Sequence, residues 1–116
     1  DEGILPQADY CGSVSGAKSD KSALFEYELG EEGTPIIRKS PLVMECAVKD
    51  VYDTPGFESF ICAISGTYVE ERYLNEEGKI DYHALKPVLF GFPTYEYLKT
   101  GDVIGKCLSF QDGETV

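Results

Sequence analysis

Two long segments of alternating polarity, joined by a short turn, constrain this chain more than any other feature. From Leu42 to Tyr52, Leu42, Met44, Cys46 and Val48 alternate with Val43, Glu45, Ala47 and Lys49, so one face is apolar and the other mixed. From Phe60 to Arg72, Phe60, Cys62, Ile64, Gly66 and Tyr68 fall on one face in the same way. Asp53-Thr54-Pro55-Gly56 between them is turn chemistry, with a fixed φ at proline and a permissive glycine. The spacing predicts a long antiparallel hairpin. Gly66 within the second strand predicts a bulge or a close backbone approach. A lone two-stranded ribbon is marginal in water, so other parts must cover its apolar face.

The flanking segments are shorter. Residues 1 to 33 read as irregular and polar, with one helical turn over Gln7–Cys11 broken by Gly12. Asp20 is placed to cap a short helix through Ser22-Ala23-Leu24-Phe25, burying Leu24 and its aromatic neighbours. Pro35-Ile36-Ile37 is extended, and Pro41 limits its pairing. After the hairpin, Asn75-Glu76-Glu77-Gly78 is a polar loop and Ile80–Leu85 fits one helical turn capped by Asp81. Pro87–Phe90 is a strand, interrupted by Gly91-Phe92-Pro93 and resumed at Tyr95–Leu98, and Val103–Leu108 is a further extended piece. Many short strands with few helices argue for an antiparallel barrel or sandwich.

At 116 residues the chain fits one domain with one hydrophobic core. A net charge of −11 repels phosphate backbones and anionic lipid, which argues against nucleic-acid and membrane-surface binding. Apolar runs are broken by Glu45, Lys49 and Ser65, far short of the roughly 20 residues a membrane helix needs. The four cysteines, Cys11, Cys46, Cys62 and Cys107, form no C-x-x-C pair, and three lie in apolar runs. They read as buried free thiols of a cytoplasmic protein.

Acid–base and metal chemistry are poorly supplied. His83 is the one histidine, so a two- or three-histidine metal site is excluded, and in a polar loop it reads as a surface residue. Glu31-Glu32, Glu70-Glu71 and Glu76-Glu77 are adjacent pairs, better explained as solvated charge than as a glycosidase pair. Neither a G-x-G-x-x-G nor a Walker motif is present. One loop stands out: Ser13-Val14-Ser15-Gly16 followed by Asp20-Lys21 brings hydroxyls, a glycine and a cation together, as an anion-binding loop does. An ordinary capped turn has the same ingredients.

That stretch resembles a family. Ala8-Asp9-Tyr10-Cys11-Gly12-Ser13-Val14-Ser15-Gly16, then Asp20-Lys21-Ser22 and Leu24-Phe25-Glu26, is similar to the A-D-[YF]-x-G-x-x-S-G-x-x-x-D-K-x-x-x-F segment of flavoredoxin-type flavin reductases. Ser40-Pro41-Leu42-Val43-Met44-Glu45-Cys46 resembles the family's C-P-L-x-x-E-C strand. Tyr73-Leu74, Gly78-Lys79-Ile80-Asp81 and Leu85-Lys86-Pro87 follow in family order, and Tyr95-x-Tyr97-Leu98-x-x-Gly101-x-x-Ile104-Gly105-Lys106 resembles its ending. The resemblance runs from about Ala8 to Lys106.

The resemblance implies a mostly β, antiparallel split barrel of the FMN-binding type, with short helices. It implies that residues 1–116 are its C-terminal part, a barrel incomplete at the N-terminus. It also implies FMN as cofactor, NAD(P)H or another donor as partner, and a homodimer or strand-swapped oligomer. The flavin would carry the redox chemistry while the protein supplies binding and orientation. By the same resemblance, Ser15, Gly16, Asp20 and Lys21 lie in a loop near the flavin, and Tyr95 and Tyr97 near its face and the nicotinamide pocket. A half-buried cross-strand aromatic pair is the plainer reading of the two tyrosines. Most ribityl phosphate contacts of the family precede the matched segment, which implies weak FMN binding by this chain alone. A non-catalytic assembly domain that keeps the barrel without the cofactor is the alternative.

Overall fold

The computed structural model describes residues 1–110 and Gly113. A short 3-10 turn, Glu2–Ile4, leads into helix α1, Leu5–Ser13. Strands β1 (Tyr27–Leu29) and β2 (Pro35–Ile37) form a small hairpin, β3 (Leu42–Thr54) and β4 (Phe57–Val69) a long one, and β5 (Val88–Gly91) and β6 (Glu96–Lys99) a third. Each hairpin is its own two-stranded antiparallel sheet, and no strand of one pairs with a strand of another.

The long ribbon matches the alternation that predicts it. Its loop is shorter than the composition suggests: only Pro55 and Gly56 turn, with Gly56 at φ 92 and Thr54 Oγ1 donating to the Phe57 carbonyl at 3.0 Å. A proline followed by a residue at positive φ is the type II pattern. The irregularity expected at Gly66 is present. Glu45 pairs with Gly66 and Cys46 with Ile64, which leaves Ser65 unpaired. The Ser65 hydroxyl donates to the Glu45 carbonyl at 3.2 Å, satisfying an acceptor at the bulge. A second shift leaves Lys49 without a cross-strand partner.

Elsewhere the structure differs from the sequence reading. Helix α1 starts earlier and runs through Gly12, because Pro6 suits its first turn and Val14 N–H closes on the Tyr10 carbonyl at 3.0 Å. The segment read as irregular contains β1, which pairs with β2 through Tyr27↔Ile37 and Leu29↔Pro35. Of the helix expected to follow Asp20 only Ser22–Leu24 forms, and Leu24, Phe25 and Tyr27 are not buried. The strand expected to resume at Tyr95 instead reverses direction: Phe90 pairs with Tyr97 and Gly91 with Glu96. Pro93 removes a ladder donor, and Tyr95 sits in the left-handed region at φ 55, so the chain turns there. No strand forms over Val103–Leu108, where Ile104 is 93% exposed.

The largest departure concerns the core. Among the described residues only Pro41, Glu45 and Leu85 are buried. The surface of 9500 Å² compares with about 6,300 Å² for a compact protein of 12.8 kDa. The radius of gyration is 17.5 Å, where about 13 Å is usual for this length. On the ribbon, the cross-strand pairs Cys46↔Ile64, Val48↔Cys62 and Val51↔Phe60 form an apolar face with Ile64 60% and Val48 58% exposed. Cys46, Cys62 and Cys107 are therefore free thiols as expected, but exposed rather than buried, and Cys11 is half-buried. The hydrophobic pattern prepares a core that the described residues do not close.

Candidate functional site

Helix α1 is the hub of the candidate site, because two groups of residues close on it. The first is the loop that follows it. Lys18 N–H donates to the Ser15 carbonyl at 3.0 Å, and the Ser15 hydroxyl accepts from Ala17 N–H at 3.2 Å. The loop folds back on the helix through two further bonds. Tyr10 OH donates to Ser19 Oγ at 3.0 Å, and Lys21 Nζ donates to the Cys11 carbonyl at 2.6 Å. A cation beside the last helical carbonyls is favourably placed against the helix dipole.

Asp20 then ends the loop. Its carboxylate accepts from Ser22 Oγ at 2.7 Å and from Ser22 N–H at 3.0 Å. Those bonds, the hydroxyl first, hold its carboxyl below the usual aspartate range. Residues 16 to 21 line an open depression of 480 Å³. Of the sequence candidates, Ser15, Gly16 and Asp20 are exposed here, whereas the ammonium of Lys21 is engaged with the helix. Lys18 is exposed and forms no ion pair among the described residues.

The second group is aromatic. On the β5–β6 hairpin, Phe90 and Tyr97 are a cross-strand pair with ring centroids 5.3 Å apart. Tyr95 lies 6.2 Å from Phe90 and 5.6 Å from Phe92. Tyr95 and Phe92 are 72% and 69% exposed. A left-handed aromatic residue is backbone strain, and strain held in place points toward function. The hairpin is fastened by two polar contacts, one to α1, where Tyr97 OH donates to Asp9 Oδ1 at 2.6 Å, and one to the 3-10 turn before it, where Lys99 Nζ meets Glu2 Oε1 at 2.9 Å. The Asp9 bond, with lesser contributions from burial and charge, raises the Tyr97 hydroxyl above its ordinary 10.0.

Between helix and hairpin lies a depression of 520 Å³, lined by Asp9, Gly12, Ser13, Phe90, Tyr95 and Tyr97. The structure thus brings Tyr95 and Tyr97 together beside the C-terminal half of α1, three residues upstream of the Gly16–Lys21 loop. Asp9, Gly12 and Phe90 join them, and sequence reasoning did not single these out as site residues. The aromatic spacing of Phe90, Phe92, Tyr95 and Tyr97 was the available signal. An apolar cleft of 390 Å³, bordered by Ile4, Leu5, Pro41 and Leu85, shares Phe90 and Tyr97 with this depression and reads as incipient core around buried Leu85. Among the described residues no group of three or more metal-ligating side chains forms.

The geometry suits a flat ring beside an anion, with no proton-transfer constellation. Aromatic side chains offer stacking surface, and an exposed loop with a lysine offers compensation to an anion. FMN has both parts, and its bound ring would supply the redox chemistry.

Comparison with known proteins points the same way. The chain is similar to a flavoredoxin from Methanosarcina acetivorans, with 38% identity and a TM-score of 0.86 over 96% of this chain and 60% of that one. It is similar to the flavoredoxin of Desulfovibrio vulgaris (Miyazaki F), with 27% identity and a TM-score of 0.81 over 92% and 58%. An FMN-binding protein from Thermus thermophilus, solved with bound 1-cyclohex-2-enone, shares the fold at 22% identity and a TM-score of 0.69, over 90% and 57%. Among curated proteins none matches. The chain spans about 60% of the length of the flavoredoxins, which is consistent with a mostly β split barrel present in part. The profile of the flavin reductase like domain matches residues 1–99, and the chain belongs to that family.

Proposed function

We propose that this chain is the C-terminal part of an FMN-binding split barrel of the flavoredoxin type. It would serve hydride or electron transfer between NAD(P)H or another donor and flavin. One observation carries the reading: a single segment, Asp9 to Lys21, borders both the aromatic depression and the depression of the Gly16–Lys21 loop. The isoalloxazine ring fits the depression beside Tyr95 and Tyr97, and the phosphate fits the loop of Ser15, Gly16 and Lys18. Lys21 and Asp20 act from behind, holding the loop to the helix and closing its end. Four free thiols favour a reducing, cytoplasmic setting. No helix among the described residues is long and apolar enough to cross a membrane.

Flavin fluorescence, titrated with the purified chain, tests this. Weak quenching by this chain and saturable quenching at micromolar concentration by the full-length protein are the expected results, and no quenching by either removes the reading.

The uncovered ribbon face favours a second element of the proposal, assembly into a homodimer or strand-swapped oligomer. The surface exceeds that of a compact chain by about 3,200 Å², more than the roughly 1,000–2,500 Å² per partner that obligate interfaces bury. The same observation supports the rival function, an assembly domain without cofactor. Stoichiometric FMN in the purified chain excludes the rival.

A further inference from the structure

We propose that Asp9 is a positioning residue for the aromatic site, aligning the ring of Tyr97 for a stacked ligand, and that Gly12 keeps the space for that ligand open. The inference rests on the flavin reading above and names two residues which that reading does not use.

Tyr97 stands on a four-residue edge strand, and its ring is 41% exposed. A side chain so placed ordinarily samples several rotamers. Here two contacts act on it from opposite ends. Phe90 sits against the ring at 5.3 Å, tilted by 47°, while Asp9 Oδ1 receives the hydroxyl at 2.6 Å. The bond joins residues 88 positions apart and ties the helix to the hairpin. Asp9 is held within α1, where Ser13 Oγ donates to its carbonyl at 2.6 Å. The helix thereby sets the ring plane. A ring fixed before binding stacks without the entropic cost of ordering it.

Asp9 also sets polarity within the site. Its carboxylate borders the ring depression, while Lys18, Lys21 and the Asp20 carboxylate border the loop depression, two cations against one anion. An anionic tail is repelled from the first and attracted to the second, so the ligand enters in one orientation. Gly12 lines the same depression, and a β-carbon built there meets no atom within 4 Å. A larger residue at this position therefore projects into open space. The added β-carbon itself leaves the protein's own packing undisturbed, and leucine favours the helix more than glycine does.

FMN titrations of the whole 116-residue chain, monitored by flavin fluorescence, test both roles. Asp9→Ala and Tyr97→Phe are expected to weaken binding by roughly three- to tenfold, the range of one hydrogen bond. Asp9→Asn keeps an acceptor for the hydroxyl, so it restores near wild-type affinity. Its tyrosine absorbance titration nevertheless shows Tyr97 ionising at lower pH than in the wild type. Gly12→Leu is expected to abolish quenching while circular dichroism shows α1 intact.

Wild-type affinity in Asp9→Ala, or equal weakening by Asp9→Asn and Asp9→Ala, overturns the positioning role while the flavin reading stands. Unchanged binding by Gly12→Leu overturns the placement of the ring. Absence of quenching by both the wild-type chain and the full-length protein overturns the flavin reading, and the positioning role falls with it. Where only the full-length protein quenches, the same variants are compared in it.

Discussion

The Tyr68 hydroxyl donates to Glu45 Oε1 at 2.6 Å, and that carboxylate is one of only three buried residues among those described. Glu45 stands on β3 and Tyr68 on β4, yet the carboxylate also reaches the turn of the small β1–β2 hairpin. Thr34 Oγ1 donates to it, and so does Glu32 N–H at 3.2 Å. One buried acid therefore joins two sheets that share no strand pairing. A buried carboxylate is tolerated only when its oxygens are satisfied, and here three donors satisfy them.

Replacing Glu45 should loosen the small hairpin before it affects the ribbon. Glu45→Ala is expected to lower the urea midpoint more than Glu45→Gln, which keeps one acceptor oxygen. Amide hydrogen exchange should accelerate at Gly30 and Arg38, whose N–H groups bond to the Thr34 and Glu26 carbonyls of that hairpin. Unchanged exchange there would mean that the carboxylate is not what fastens it.

The same site predicts a pH dependence. Bonds from Thr34 first, then Tyr68, hold the Glu45 carboxyl below its ordinary 4.5, outweighing the opposing effect of burial. A depressed folded pKa contributes stability above the unfolded value, lost as the pH falls through the folded one. Wild-type urea midpoints should thus exceed those of Glu45→Gln at neutral pH. The two should converge as the pH drops below about 4.5 toward the folded value. A gap that stays constant with pH contradicts the assignment.

Gly30 also packs against this carboxylate. A β-carbon there would lie 2.5 Å from Glu45 Cδ, and the carboxylate cannot retreat without breaking its hydrogen bonds. Gly30→Ala should cost about 1–3 kcal/mol in denaturant unfolding, the range for overpacking. A neutral effect would show that the carboxylate has room to move.

At the ribbon's tip, Gly56 holds φ 92, a conformation costly for any residue with a β-carbon. Gly56→Ala is expected to destabilise the chain by about 1–2 kcal/mol. Nothing lies within 4 Å of the added carbon, so the loss measures backbone strain alone.

The uncovered ribbon face should be visible in solution. Sedimentation equilibrium is expected to give a mass above the 12.8 kDa of one chain, and Ile64→Lys or Phe60→Lys to lower it. A monomer with no affinity for a hydrophobic dye would contradict the proposed assembly.

Much of the fold is legible in local chemistry. The two ribbon strands, expected over Leu42–Tyr52 and Phe60–Arg72, declare themselves because the strand period of two repeats over many residues. The second begins at Phe57 and gives way after Val69 to a 3-10 turn at Glu71–Tyr73, and Gly66 marks its own bulge. Asn75 and Asp81 close the turns expected of them, accepting from Glu77 N–H and His83 N–H, each at 2.9 Å. Short elements were less legible. Three residues such as Tyr27-Glu28-Leu29 carry too little pattern to announce a strand, and their pairing with Pro35–Ile37 is a tertiary event. The reversal at Phe92–Tyr95 was missed for a similar reason. Nothing in the local sequence requires a tyrosine to adopt positive φ.

The sequence by itself determined the long ribbon, its turn, its bulge and the family to which the chain belongs, because these depend on neighbours within a few positions. Only the tertiary structure decided that Asp9 meets Tyr97, that Lys21 turns inward to a helix carbonyl, and that Glu45 rather than an aliphatic residue occupies the buried junction of two hairpins. It also decided that the apolar face written into the ribbon stays open, since alternation specifies which residues seek burial but not what covers them.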